Sequence, residues 1–148
     1  QGQDWIDWLS TWPDDILLVA AGPDGAVLGY VLARAGADMH PGYDAELMAL
    51  HVRPEQQRQG VGGALLEAAA TTLQRRGCRS VMLWSLAGNP VRQWYQGLGG
   101  REIGEKSYLV DDWRVVEVGY GWPDIRSLCG ADEAGRRRIE ARGGEGEK

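Results

Sequence analysis

The stretch Arg53-Pro54-Glu55-Gln56-Gln57-Arg58-Gln59-Gly60-Val61-Gly62-Gly63 has the residue types of an anion cradle. It lies between a short apolar run, Leu47 to Val52, and a segment in which Leu65, Leu66, Ala69 and Leu73 repeat at helical spacing. The first turn of a helix has amide groups with no partner inside the helix and carries the positive end of its dipole, so it attracts phosphate. Glycines at 60, 62 and 63 remove the Cβ atoms that would hold a pyrophosphate away from those amides, and Arg58 adds a cation beside them. A kinase-type phosphate loop needs Lys and then Ser or Thr after its last glycine, where this chain has Ala64 and Leu65. A dinucleotide fingerprint needs a third glycine where Leu65 stands. Nucleotide hydrolysis and dinucleotide binding are therefore both disfavoured, and the pattern that remains is Gln57-x-x-Gly60-x-Gly62.

That pattern does not stand alone. The preceding run Glu46-Leu47-Met48-Ala49-Leu50-His51-Val52, the loop itself and a second segment, Asn89-Pro90-Val91-Arg92-Gln93-Trp94-Tyr95-Gln96-Gly97-Leu98-Gly99, together resemble the GNAT superfamily of Gcn5-related N-acetyltransferases, over residues 16–122. The resemblance implies acetyl-CoA as cosubstrate and a small-molecule or peptide amine as acceptor. It also implies site residues: backbone groups near Leu50 and Val52 pair with pantetheine. The loop from Gln57 through Arg58, Gly60, Val61, Gly62 and Gly63 holds the pyrophosphate, and Asn89 meets the pantetheine arm.

An alkyl amine with a pKa near 10.4 is neutral in only about one molecule per thousand at pH 7, so a proton acceptor helps it attack a thioester. Glu46, at the start of the strand leading into the loop, is the candidate base, acting through water. His51 is the alternative, although strand alternation puts it on the other face unless a bulge intervenes. Tyr95 matches the position where the superfamily often has a tyrosine that protonates the departing sulfur, whose thiolate resembles that of a cysteine with a pKa of about 8.5. Trp84 is either part of the acceptor pocket or core. No cysteine has a histidine and a carboxylate as evident partners, so direct attack in a ternary complex is expected in place of an acyl-enzyme. The alternative of the same fold is a non-catalytic acyl-CoA-binding module.

These groups need a scaffold. Trp5, Trp8, Leu9 and Trp12 repeat behind Asp4 and predict a short amphipathic helix. Residues 16–21 and 26–35 read as strands joined by the turn Gly22-Pro23-Asp24-Gly25, and a Gly/Pro loop follows from 36 to 43. A strand at 47–52, a helix from about Gly60 to Arg76 stopped by Gly77, and an apolar strand at 80–86 make a right-handed crossover. Asn89-Pro90 opens a short helix closed by Gly99-Gly100, and strands near 101–110 and 113–122 flank Asp111-Asp112. The expected fold is α/β (α+β), a mixed, mostly antiparallel central sheet with a parallel strand-helix-strand core, in one domain over residues 1–125 with a polar tail at 126–148. Superfamily members usually carry two helices between the first strand and the first hairpin, one wall of the acceptor site, and by that measure the amino end is shortened. Gly100 stands where many members have Phe.

Composition narrows the partners. The chain has 148 residues, 43% of them hydrophobic and 25% charged, which suits a soluble globular domain. A net charge of -5 repels phosphate backbones and anionic lipids, so neither nucleic acid nor a membrane is expected as partner. Cys78 and Cys129 lie far apart with no Cys/His cluster, so no metal and no disulfide framework are expected, and a cytoplasmic setting is consistent with this. The amino end lacks the cationic start and apolar run of a signal peptide. Homodimer formation is common in the superfamily and is left open.

Overall fold

The computed structural model describes residues 6–9, 15–57 and 60–129. Two β-rich runs and a tight turn begin the core: β2 (Asp15–Ala21) and β3 (Val27–His40) pair antiparallel across Gly22-Pro23-Asp24-Gly25. Asp24 Oδ1 accepts the Ala26 N–H at 3.0 Å, and Gly25 takes a left-handed φ of 85°. β4 (Tyr43–Val52) returns antiparallel to β3, α1 (Val61–Arg75) crosses over, and β5 (Val81–Leu86) lies parallel to β4. α2 (Val91–Gly97) leads into the hairpin of β6 (Arg101–Val110) and β7 (Trp113–Trp122), and α3 (Arg126–Cys129) follows. With β1 (Ile6–Leu9), the strands form one seven-stranded sheet in the order β1-β2-β3-β4-β5-β7-β6. The mixed, mostly antiparallel sheet with a parallel strand-helix-strand core is thus the observed architecture.

Three local expectations are corrected. Ile6–Leu9 is a strand paired with Leu17 to Ala20, where helical spacing predicts a helix; residues 4, 5 and 10–12 of that segment lie outside the described residues. An isolated helix this short is marginal, whereas the free edge of β2 offers backbone partners to a Trp- and Ile-bearing strand. The expected loop at 36–43 is mostly strand: β3 runs to His40, and Pro41-Gly42 turns the chain into Tyr43, with Gly42 at φ 88°. Ala- and Gly-rich strands lack the apolar alternation that marks a strand in sequence; the pairing with β4 breaks register after Ala35 and resumes at His40 opposite Tyr43. Finally, the core extends past the expected boundary at 125, because Ile125 and Leu128 are buried within it and α3 packs on α1.

A carboxylate locks the parallel pair. Asp44, at the start of β4, accepts the N–H groups of Arg79 and Ser80 at 3.0 Å and the Ser80 hydroxyl at 3.0 Å, and its own N–H donates to Ser80 Oγ. The register that follows sets Leu47 beside Leu83 and Glu46 beside Met82. Val31, Ala33, Leu47, Leu83, Tyr120 and Trp122 then share the face covered by Leu65, Leu66, Ala69 and Leu73 of α1. The helices α1, α2 and α3 lie on this face, with Tyr95 of α2 and Leu128 of α3 in the same core. No described helix is long and apolar enough to cross a membrane.

Candidate active site

Among the described residues, β4 and β5 pair only at Glu46/Met82 and Leu47/Leu83. Past these rungs β4 continues to Val52 and β5 to Leu86 while the strands diverge, and a cavity of about 950 Å³ opens between them. Leu50, His51 and Val52 form one wall and Trp84, Ser85 and Leu86 the other, with Gln57, Gly62, Asn89 and Tyr95 at its ends. The Arg53 N–H donates to Leu28 C=O at 2.9 Å, which sets the phase of the β3–β4 ladder. Backbone groups in an antiparallel ladder alternate between neighbours, so those of Leu50 and Val52 turn away from β3, toward the cleft. One is engaged: Val52 C=O accepts the Gln57 side-chain amide at 3.1 Å, so Gln57 ties the loop to the strand end.

The helix start is built from glycine for two separate reasons. Gly60 caps α1 at φ 86°, ψ 1°, a left-handed conformation that costs other residues roughly 1 kcal/mol or more, and its carbonyl accepts the first helical bond, from Ala64 N–H at 3.1 Å. At Gly62 the matter is space: a Cβ there would lie 3.1 Å from Trp94 Cη2 and 3.7 Å from Val52 Cγ2. Val61 turns its side chain into the core and Gly63 is buried, so both offer only backbone. Arg58 lies outside the described residues. Asn89 Oδ1 accepts Val91 N–H at 3.0 Å, capping α2 at the cavity edge.

Tyr95 stands in the cavity wall, 7% exposed, with its ring against Trp94, Tyr120 and Trp122. Burial pushes its hydroxyl up to about 12, so it remains a proton donor across the neutral range. Arg92 braces this helix by donating to Tyr120 Oη at 2.9 Å and to Ala87 C=O.

Glu46 is half-buried on the opposite sheet face and outside the cavity lining. Burial raises its carboxyl above the ordinary value; Lys106, Arg34 and His40 pull the other way, and Glu117 adds to the rise. A bulge decides the standing of His51. Leu47 faces Ala33 and Ala49 faces Leu32, so Met48 is an extra residue in β4, and Glu46 and His51, opposite Arg34 and Tyr30, share one face. His51 also lines the cavity, with its ring 5.6 Å from that of Tyr30.

Sequence reasoning missed three groups. Trp94 Nε1 is buried and has no hydrogen-bond partner among the described residues, and Trp94 lines the cavity. Glu117 also lines the cavity, and Lys106 is its cross-strand partner at 3.6 Å. Alternation in β7 carried the signal for Glu117: it falls on the face opposite Val118, Tyr120 and Trp122.

The residues present suit an elongated ligand that carries amides and a pyrophosphate. Strand amides face the cleft, a donor with no hydrogen-bond partner among the described residues lines it, and a glycine-built helix start stands beside it.

Known proteins point the same way. The chain matches the sequence model of the Acetyltransferase (GNAT) family over residues 1–99. It is 35% identical over 112 residues to "Uncharacterized N-acetyltransferase YuaI" of Bacillus subtilis (strain 168), a match covering 76% of this chain and 65% of that protein. The chain thus spans somewhat less than two thirds of this relative. Among solved structures it resembles nourseothricin acetyltransferase, with a TM-score of 0.64, 24% identity, and coverage of 74% of this chain and 65% of that one. It also resembles the "putative streptothricin acetyltransferase from Bacillus anthracis str. Ames in complex with acetyl coenzyme A", with a TM-score of 0.63, 17% identity, and coverage of 82% and 66%. Splayed parallel strands, a glycine-opened helix and a sequence match over most of the chain lead to one conclusion: this chain belongs to the acetyltransferase (GNAT) family.

Proposed function

We propose that the chain catalyses acetyl transfer from acetyl-CoA to an amine by direct attack within a ternary complex. The observation that carries the reading is the cleft between β4 and β5, where Leu50 and Val52 present backbone groups beside the start of α1 and Tyr95 faces in from α2. Acetyl-CoA, when bound, supplies the activated acyl group. Leu50 and Val52 hold the pantetheine amides as a neighbouring strand would, and Asn89 borders the same arm. Gly60, Val61, Gly62 and Gly63 receive the pyrophosphate on backbone, joined by Arg58 and steadied through Gln57. Trp94 offers its indole N–H to the ligand. Glu46, with a raised carboxyl, draws the proton from the attacking amine through water, and Tyr95 donates to the departing sulfur.

The same reading makes the protein a cytoplasmic enzyme with a small-molecule or peptide acceptor, in line with free Cys78 and Cys129 and a net charge of -5. The experiment has two stages. Millimolar acetyl-CoA over a micromolar site stabilises the fold by about 4 kcal/mol, a rise in melting temperature of several degrees or more. Incubation with acetyl-CoA and a panel of amines then releases free thiol with at least one of them. An unchanged melting temperature refutes cofactor binding, and a shift without thiol release refutes transfer.

A further inference from the structure

Opposite the helices, beside Glu46, the sheet carries a cluster of Trp84, Lys106 and Glu117 that the transfer reaction as proposed does not use. Trp84, on β5, lies over Gly119, where a Cβ would come within 3.1 Å of the indole. The Lys106 ammonium sits on the Trp84 ring, 4.4 Å from its centroid, and 3.6 Å from a Glu117 carboxylate oxygen. His40 meets the same indole edge-on at 5.8 Å. Tyr108 hydrogen-bonds to Glu117, and Glu46 feels both Lys106 and Glu117. Arg34 is paired with Asp15 at 2.7 Å and also acts on Glu46, whereas Glu117 has the Lys106 ammonium as its cationic partner on β6. Trp84 and Glu117 line the cavity, whereas the Lys106 side chain is 47% exposed and can swing out.

We propose that the Trp84–Glu117 platform is an anchoring subsite for a second cationic group on the acceptor, and that Lys106 is a resident stand-in which this group displaces. This rests on the acetyltransferase reading. An aromatic face with carboxylates beside it stabilises the charged form of an amine and holds its proton in place. Such a position suits an ammonium that binds and stays charged; it does not suit the nitrogen that must lose its proton to attack. The acceptor class is therefore a compact diamine, or a molecule with the same pair of amines, of which one is acetylated and the other is anchored.

Three acceptors of one skeleton test this: 1,5-diaminopentane, pentylamine and 5-aminopentanoate, each followed by thiol release from acetyl-CoA. The diamine shows about tenfold higher kcat/KM than pentylamine, mostly through KM, and 5-aminopentanoate is the poorest of the three. Glu117→Gln and Trp84→Leu erase the preference for the diamine over pentylamine. Calorimetric titration with the diamine needs no turnover: Lys106→Met tightens its binding about twofold to fivefold, because the competitor is gone and the negative charge is less offset. Equal kcat/KM for diamine and pentylamine, or a Lys106→Met variant that binds the diamine no better, overturns the proposal while transfer to amines stands. Thiol release with none of the three, together with no diamine binding, fails both this proposal and the reading beneath it.

Discussion

Tyr95→Phe removes one hydroxyl and keeps the ring contacts with Trp94 at 5.5 Å and Trp122 at 6.2 Å, so the fold is retained. The hydroxyl titrates at about 12 because it is buried. The departing thiolate titrates near 8.5, so complete proton transfer runs uphill by about 3.5 pH units, roughly 5 kcal/mol. Tyr95 therefore acts as a hydrogen-bond donor to the charge growing on sulfur, and does not finish the transfer. A hydrogen bond to a charged group contributes about 1.5–3 kcal/mol, which corresponds to about 10-fold to 150-fold in kcat. The assay is continuous thiol release at saturating acetyl-CoA. KM for acetyl-CoA moves by less than about threefold, since the bond strengthens only as charge develops. The pH profiles of variant and parent run parallel from pH 6 to 10, because the Tyr95 proton stays bound throughout. Unchanged kcat removes Tyr95 from the reaction. A fall beyond about 10³-fold, or a descending limb near pH 9 that the variant lacks, refutes the burial argument.

Glu46→Gln lowers kcat/KM by about 10²-fold and flattens its acid limb, if Glu46 draws the proton. It also raises thermal stability at neutral pH. The folded-state pKa of Glu46 lies above the ordinary value, so its contribution to stability is present below that value and is lost as pH rises through the raised one. A variant that is less active and also less stable at pH 7 contradicts this. At Asp44, burial pushes the carboxyl up, but bonds from Arg79 N–H, Ser80 N–H and the Ser80 hydroxyl more than offset it and leave the group below its ordinary value of 3.8. Asp44→Ala costs about 2–3 kcal/mol in urea unfolding at pH 7, and the difference from the parent shrinks as pH falls below about 4. Gly100→Ala sets a Cβ 2.8 Å from Trp122 Cζ2 and 2.9 Å from the Tyr95 carbonyl oxygen, so it destabilises by about 1–3 kcal/mol, measured the same way. Full stability in that variant means the Trp122 indole is free to move.

The departure at Gly100 shows how local letters and long-range packing divide the work. Where many superfamily members have Phe, this chain has no side chain, and Trp122, arriving from β7 with its Nε1 donating to Leu98 C=O at 3.1 Å, takes the space. Neither residue announces the other in sequence, because 22 positions separate them. The β2–β3 turn, α1 and its glycine stop, the central strand and the terminal hairpin were legible because each follows from local periodicity and from backbone preferences of nearby residues. The Asp4–Trp12 segment was misread for the same reason: its spacing is helical, but the free edge of β2 lies beyond any local window.

The site divides along the same line. Gly60 and Gly62 at a helix start and Asn89 at a cap were named from local backbone chemistry within a few residues, whereas Gln57 and Tyr95 were named through the family resemblance. Four things depended on tertiary structure: the splay that makes the cleft, the bulge at Met48 that puts Glu46 and His51 on one face, the seating of Lys106 on Trp84, and the lone Trp94 Nε1. Each depends on strands or helices distant in sequence meeting at a defined register. Register is a property of the folded sheet, settled by the sum of its contacts and not by any one segment.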